Sequence, residues 1–198
     1  MDARLAHLPA RIVTPRLVLR PYRPGDGPAY FAACRANQTH LLPFEAGNPA
    51  LDVQTVADAE RLVRRFAAEW RTRSVFFLGA WARDTDNWVA QIYVGVVNWT
   101  LPEFEAGYWV DAAHEGQGFV SEALRGALGM VFGAMGATRV SLHCNDLNGR
   151  SARVAERCGF TLEGHLRENN PAVRTTDGRP SGELIYGLLR AEYVPSAR

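Results

Sequence analysis

Cysteine is scarce in this chain and carries no pairing pattern. Cys34, Cys144 and Cys158 are the only three in 198 residues, with no C-x-x-C spacing, which excludes a disulfide framework and a cysteine zinc cluster. His143 and Cys144 are neighbours in a strand-like run, where successive side chains point to opposite faces and cannot chelate one ion together. The thiols read as small buried hydrophobes, and no metal is expected. An excess of one charge is also missing. With 22 Lys and Arg against 21 Asp and Glu the formal net charge is +1, so nothing in the balance marks a nucleic-acid or acidic-membrane partner. Met1 to Pro15 contains Arg4, His7, Pro9 and Arg11 but no continuous apolar run, which argues against a signal peptide or anchor. The chain reads as cytosolic, with a mobile N-terminus over 1–15, one domain over 16–194 and a tail over 195–198. It shows no internal repeat, low-complexity tract or linker.

What is present is a hydrophobic share of 47%, enough to fill a sizeable core. Residues 16–20 alternate as a strand with Leu17 and Leu19 on one face, stopped by Pro21, and Pro24-Gly25-Asp26-Gly27-Pro28 turns into a short helix expected over 29–36. Residues 40–51, with Leu41, Leu42, Pro43 and Phe44, read as an apolar loop of the kind that faces substrate. Val56, Ala59, Val63, Phe66 and Trp70 then recur at helical spacing behind Asp52 or Thr55 as caps, with a charged face that reads as solvated. Strands over 75–82, 88–99 and 104–110 make an antiparallel meander. Later come strands over 139–144, 160–165 and 183–189, a helix over 149–158 closed by Gly159, and an exposed turn or lid over 169–182. This order predicts an α+β fold, a mixed and mostly antiparallel central sheet of six to seven strands flanked by helices.

Residues 103–124 carry the strongest chemical signal. An apolar strand leads into a loop with Gly116 and Gly118, then a helix with Leu124, Leu128, Val131, Phe132 and Met135 on one face. A helix start leaves backbone N–H groups without partners and carries partial positive charge, so an anion is held there, and glycines let the backbone come close. The dinucleotide fingerprint G-x-G-x-x-G is excluded, because Ser121 stands at the third glycine.

Two motifs in this order resemble one known family. Gly107-Tyr108-Trp109-Val110, then Gly116-Gln117-Gly118-Phe119-Val120-Ser121-Glu122-Ala123, is similar to G-Y-W followed by G-x-G-Y-x-T-E-A. Asn148-Gly149-Arg150-Ser151, then Glu156-Arg157-Cys158-Gly159-Phe160, is similar to N-x-x-S followed by E-[RK]-x-G-F. These are marks of the GNAT superfamily of acyl-CoA N-acyltransferases, in particular its RimJ/RimL group of ribosomal-protein N-terminal acetyltransferases. The opening Thr14-Pro15-Arg16-Leu17-Val18-Leu19-Arg20 resembles that group's first strand, and the likeness spans nearly the whole chain. Two positions depart from the family's phosphate loop, Glu115 at the Arg/Gln place and Val120 at the final small place. A carboxylate repels a pyrophosphate, so Glu115 is expected to turn outward and offer only its backbone.

The resemblance implies an acetyl-CoA-dependent N-acetyltransferase acting by direct attack of a primary amine, with no metal. It places the pyrophosphate on the N–H groups of Gly116, Gln117, Gly118, Phe119, Val120 and Ser121. The pantetheine lies between splayed parallel strands near 108–110 and 141–143, with Trp109, Val110, Asn148 and Ser151 completing the coenzyme site. A backbone N–H near Val110 becomes the oxyanion donor. For the base, Glu105 is a carboxylate on an otherwise apolar strand, where desolvation raises a pKa, with a water relay as the other route. Ser151 is the acid for the departing thiol, or with Asn148 a cap of the helix that follows. Tyr108 and Trp109 line the acceptor cleft or belong to the core, and His114 and His143 are weaker base candidates. The group implied points to a protein N-terminal α-amine. A polyamine or aminoglycoside is the alternative, with Glu45 and Glu168 able to attract a cationic amine. A non-catalytic acyl-CoA-binding domain and a nucleotide-binding protein are the readings from other classes. A monomer and a homodimer fit equally.

Overall fold

Alternating side chains on the strands give the sheet two apolar faces, and the helices divide between them. In this computed structural model, which describes residues 7–45 and 47–195, eight strands form one sheet. They are β1 (Ile12–Val13), β2 (Leu17–Pro21), β3 (Val75–Ala82), β4 (Trp88–Asn98), β5 (Glu103–Val110), β6 (Arg139–Asn145), β7 (Thr161–Arg174) and β8 (Pro180–Leu189). Their order is β1-β2-β3-β4-β5-β6-β8-β7, and every neighbouring pair is antiparallel except β5 with β6. The helices are α1 (Gly27–Leu41), α2 (Val56–Thr72), α3 (Phe119–Gly133) and α4 (Gly149–Arg157). None of them is long and apolar enough to cross a membrane, among the described residues.

On one face Phe104 and Ala106 of β5, with Phe76, Leu78, Ile92 and Val94, pack against Leu124, Leu128, Val131 and Phe132 of α3 and Ala155 of α4. On the other, Trp81, Trp88 and Trp109 meet Tyr30 and Cys34 of α1 and Phe66 of α2. The second face is largely aromatic, with Trp88 and Trp109 centroids 4.3 Å apart and Phe66 stacked on Phe77 at 3.9 Å. Helix α2 starts where the sequence places it, at a capping box in which Thr55 Oγ1 accepts from Asp58 N–H and Asp58 Oδ2 accepts from Thr55 N–H.

The parallel pair sets up everything downstream. β5 pairs with β6 from Glu103↔Arg139 to Ala106↔Leu142 and then stops. β5 nevertheless stays with β4 as far as Val110, and β6 stays with β8 as far as Asn145. Between the two strands opens a wedge with one unpaired edge on each side. It begins after Leu142, so Ser141, expected within it, lies in the paired part.

Four further expectations change. The sheet has eight strands rather than six to seven, because β1 forms inside the segment expected to be mobile. Leu8 is also buried in the α3-side core, and Ile12 and Thr14 cross α3 at Gly126, where a Cβ would come within 3.4 Å of each. The expected mobility of residues 1–6, and most of the tail (196–198), lie outside the described residues. Helix α1 runs on to Leu41 because the polar Asn37 is satisfied inside it, donating to Ala33 O and accepting from Ala112 N–H at 2.7 Å. The segment over 169–182, expected as an exposed turn or lid, is an exposed turn only at its tip, since β7 extends to Arg174 and β8 starts at Pro180, and the two form a hairpin. A tight turn closes it with Gly178 at φ 84° and Thr175 N–H bonded to Arg179 O.

One carboxylate ties the N-terminal segment to the start of α3. Glu122 Oε1 accepts from Thr14 Oγ1 at 2.6 Å and from Arg16 N–H at 2.8 Å, and Oε2 accepts from Arg16 Nε at 2.7 Å. Arg16 also donates to Gln117 O and lies over the Phe119 ring. Burial opposes the charge on Glu122, but these donors outweigh it and hold the carboxyl below its usual range. A depressed folded pKa contributes stability above the unfolded value, lost as pH falls through the folded one. Glu122→Gln is therefore expected to lower unfolding free energy by about 1–3 kcal/mol at neutral pH. In urea titrations the gap from the parent should close as pH falls through the carboxylate range.

Candidate active site

The loop between β5 and α3 is shaped by two glycines in the left-handed region, Gly116 at φ 72° and Gly118 at φ 80°. Gly118 is the N-cap of α3 and offers no side chain. The first bond of the helix runs from Glu122 N–H to Gly118 O, so the N–H groups of Phe119, Val120 and Ser121 have no acceptor within the helix. They face a cavity of ≈ 430 Å³. Its floor is this loop, one wall is α4, another is β5 from Tyr108 to Val110, and the far side is the end of α1 with Phe44 and Glu45.

The open edge of β5 leads into the same space. Asp111 N–H is spent on Val89 O of β4, and strand N–H groups alternate in direction, so that of Val110 points away from β4 and toward the wedge. Among the described residues it has no acceptor outside the sheet, and it lies beside the cavity.

Most of the residues expected in a coenzyme site are brought together here: Trp109, Val110, Gly116, Gly118, Phe119, Val120, Ser121, Asn148 and Ser151 all line the cavity. Gln117 is outside the lining. Its side-chain amide folds back on Ala113 O at 2.9 Å, while its carbonyl is held by Arg16. Glu105 is outside as well. Facing the same side of β5 as Trp109 but four residues earlier, it lies about 13 Å back along the strand, with Tyr93 close enough to feel its charge. Trp109 is both core and wall, buried against Trp88 and Tyr30.

Ser151 lies in the first turn of α4 and has a partner the sequence did not assign. Asn148 Oδ1 accepts from Ser151 N–H at 3.2 Å, so Asn148 caps α4. Tyr108 OH donates to Ser151 O at 3.0 Å and lies 2.9 Å from Ser151 Oγ. A phenol has one proton; once that is given to the carbonyl, the short contact is best filled by Ser151 Oγ donating to the Tyr108 oxygen. Burial pushes the Tyr108 hydroxyl well above its ordinary value, partly offset by Ser151, so it is protonated at neutral pH.

Glu115 does not turn outward. It lines the cavity, accepts from Arg150 Nη1 at 2.8 Å and lies 3.8 Å from His40 Nε2, so its charge is compensated at the mouth. His114 lines the cavity edge-on to Phe119, whereas His143 lies outside it, 3.7 Å from Glu183. Glu45, half-buried, reaches the cavity from the far side, and burial raises its carboxyl above the usual range although Asn48 opposes this. Glu168 pairs instead with Arg179 on the hairpin surface, away from the lining. The thiols are quiet: burial pushes Cys34 up to about 12 and Cys144 and Cys158 up to about 11. No group of three or more His, Cys, Asp or Glu among the described residues could hold a metal.

Comparison with known proteins agrees with this geometry. The family described as "Acetyltransferase (GNAT) domain" matches residues 16–161. The protein named uncharacterized N-acetyltransferase YoaA, of Bacillus subtilis, is 25% identical over 89% of this chain and 95% of its own length. The ribosomal-protein-serine acetyltransferase of Escherichia coli is 39% identical over 32% of this chain and 36% of its own. Among solved structures, Mycobacterium smegmatis RimJ in complex with CoA-disulfide superposes with a TM-score of 0.78 at 24% identity, covering 95% of this chain and 90% of that one. At that identity the likeness speaks for the fold.

The two kinds of glycine in this region differ in what a methyl group does. Gly118→Ala forces a side chain into the left-handed region and is expected to cost about 1–2 kcal/mol. Gly133, at the end of α3 with open space around it, should gain roughly 0.5–1 kcal/mol on mutation to Ala. Chemical denaturation of the two variants checks both signs.

Proposed function

The chain belongs to the GNAT acetyltransferase family, and on that footing we propose that it acetylates the N-terminal α-amine of a protein through the cavity between β5, α3 and α4. It is an acetyl-CoA-dependent N-acetyltransferase. The observation that carries the site assignment is the wedge between β5 and β6, whose open edge runs from the N-terminus of α3 to the Tyr108 and Ser151 hydroxyls.

Acetyl-CoA supplies an activated acetyl thioester; the remaining needs are met by this chain. The N–H groups of Phe119, Val120 and Ser121 and the positive end of α3 suit a pyrophosphate, each charge-assisted bond contributing roughly 1.5–3 kcal/mol. The unpaired edges of β5 and β6 suit an amide-bearing arm, which bonds to a strand edge as a peptide does. Val110 N–H is the donor for an oxyanion, and loss of such a donor typically costs about 10²–10³ in rate. The proton a departing thiolate needs is held at Tyr108 Oη, with Ser151 Oγ as its hydrogen-bond partner. Ser151, expected to be the acid itself, thus acts with or through Tyr108.

The protein acceptor is supported by the E. coli relative's name. A thiol-release screen with acetyl-CoA against N-terminal peptides, polyamines and aminoglycosides tests it. Peptide turnover is expected, and turnover of a small amine alone would reassign the acceptor. CoA-dependent thermal stabilisation without thiol release for any amine would instead mark a binding domain. Tyr108→Phe is expected to lower kcat about 10²-fold with little change in the KM for acetyl-CoA, and Ser151→Ala by less.

A further inference from the structure

The cavity is electrically divided. On the α4 side Arg150, Arg153 and Arg157 line it beside the positive end of α3, an environment for anions. Two carboxylates face the remainder, Glu115 and Glu45. Glu115 is spoken for by Arg150 and His40. Glu45 forms no ion pair among the described residues, and its partner is a neutral amide, with Asn48 Nδ2 donating to Glu45 Oε2 at 3.0 Å.

Asn48 holds that carboxylate in a fixed frame. Its Oδ1 accepts from Ala50 N–H at 3.0 Å, and its N–H donates to Glu45 O at 2.8 Å, while Glu45 N–H closes the turn onto Leu41 O. One amide thus engages both ends of its side chain, leaving Glu45 Oε1 without a hydrogen-bond partner among the described residues. Leu41 and Phe44 supply apolar wall beside it. A partly desolvated carboxylate with no cation of its own among the described residues, on a residue lining a cavity whose other charges are matched or positive and near enough for its charge to act on the Tyr108 hydroxyl, is a receptor for a primary ammonium.

We infer that Glu45 receives the acceptor's ammonium group and takes its proton, leaving a neutral amine to attack and a neutral carboxylic acid that returns the proton to solvent. The second proton, shed by the nitrogen as the amide forms, replaces the one Tyr108 gives to the thiolate. This rests on the acetyltransferase reading of the cavity. Glu105, on an apolar strand but outside the lining, is thereby displaced from the role of base. The raised carboxyl of Glu45 suits this role, because a base must lose its proton before it acts and a higher pKa makes it the stronger acceptor. The titratable and charged groups sharing the cavity with it are His40 from α1, Tyr108 from β5, His114 and Glu115 from the loop, and the three arginines from α4.

The test follows thiol release with acetyl-CoA and the best amine for the parent, Glu45→Gln, Glu45→Asp, Asn48→Ala and Glu105→Gln, over pH from about 5 to 9. Thermal stabilisation by CoA is measured on each. Glu45→Gln is expected to lower kcat/KM for the amine by at least about 10²-fold and to abolish the acid-side limb, along which activity rises with pH. CoA stabilisation should be unchanged. Glu45→Asp should restore part of the rate, and Asn48→Ala should move the limb to a different pH without removing it. The inference is overturned if Glu45→Gln keeps the parental rate and limb, if it loses CoA stabilisation in parallel, or if Glu105→Gln alone removes the limb. A parent that CoA stabilises but that turns over no amine overturns the acceptor reading and this inference together. A parent that CoA fails to stabilise overturns the coenzyme site itself.

Discussion

The parting of β5 from β6 after Ala106 and Leu142 is the constraint on which the rest of the site depends. Each strand keeps its other partner, so neither is free to swing and close the gap. The wedge is therefore rigid, and its unpaired backbone groups are fixed in direction. Because Phe104 and Ala106 must face α3, alternation sends Tyr108 to the α4 side and Trp109 into the aromatic core on the opposite face. One strand thus supplies a hydroxyl to the site, an indole to the core and a free N–H to the space between.

Charge is managed around that wedge by compensation more than by accumulation. The near-neutral composition conceals a cavity with arginines on one wall and carboxylates on another. Glu115, standing where an anion-binding loop least tolerates a carboxylate, is matched by Arg150 across the mouth. Arg150 belongs to α4, so the same pair also joins the β5–α3 loop to α4 across the cavity.

The stretch from β5 into α3 was legible because its signals are local. Alternation gives the strand, positive-φ glycines give the loop, and apolar spacing gives the helix. Membership of the GNAT family and the mixed sheet with flanking helices were legible for the same reason, two motifs in the right order. What sequence reading missed depends on distant partners. Helix α1 continues through a polar run because Asn37 meets Ala112 at the far side of the site, and β1 exists because residues near 12 find β2 and the Gly126 notch in α3. Ser151 was identified but Tyr108 was not assigned as its partner, since 43 positions separate them. Glu45 was named, alongside Glu168, only as a carboxylate able to attract a cationic amine. Its burial and its lack of a cation are properties of the assembled cavity that no spacing encodes.

The clasp of Glu122 on Thr14 and Arg16 also has a bearing on how the molecule comes into being. It joins positions 108 and 106 apart in sequence, and bringing chain ends together over such a span costs on the order of 4 kcal/mol in loop entropy before any contact repays it. Helix α3, whose N-terminus borders the cavity, is therefore secured only after residue 122 has emerged and folded back on residues 14–16. During synthesis, that end of the cavity stays unsecured until 108 residues beyond Thr14 have been made, and its completion is an event of topology more than of local sequence.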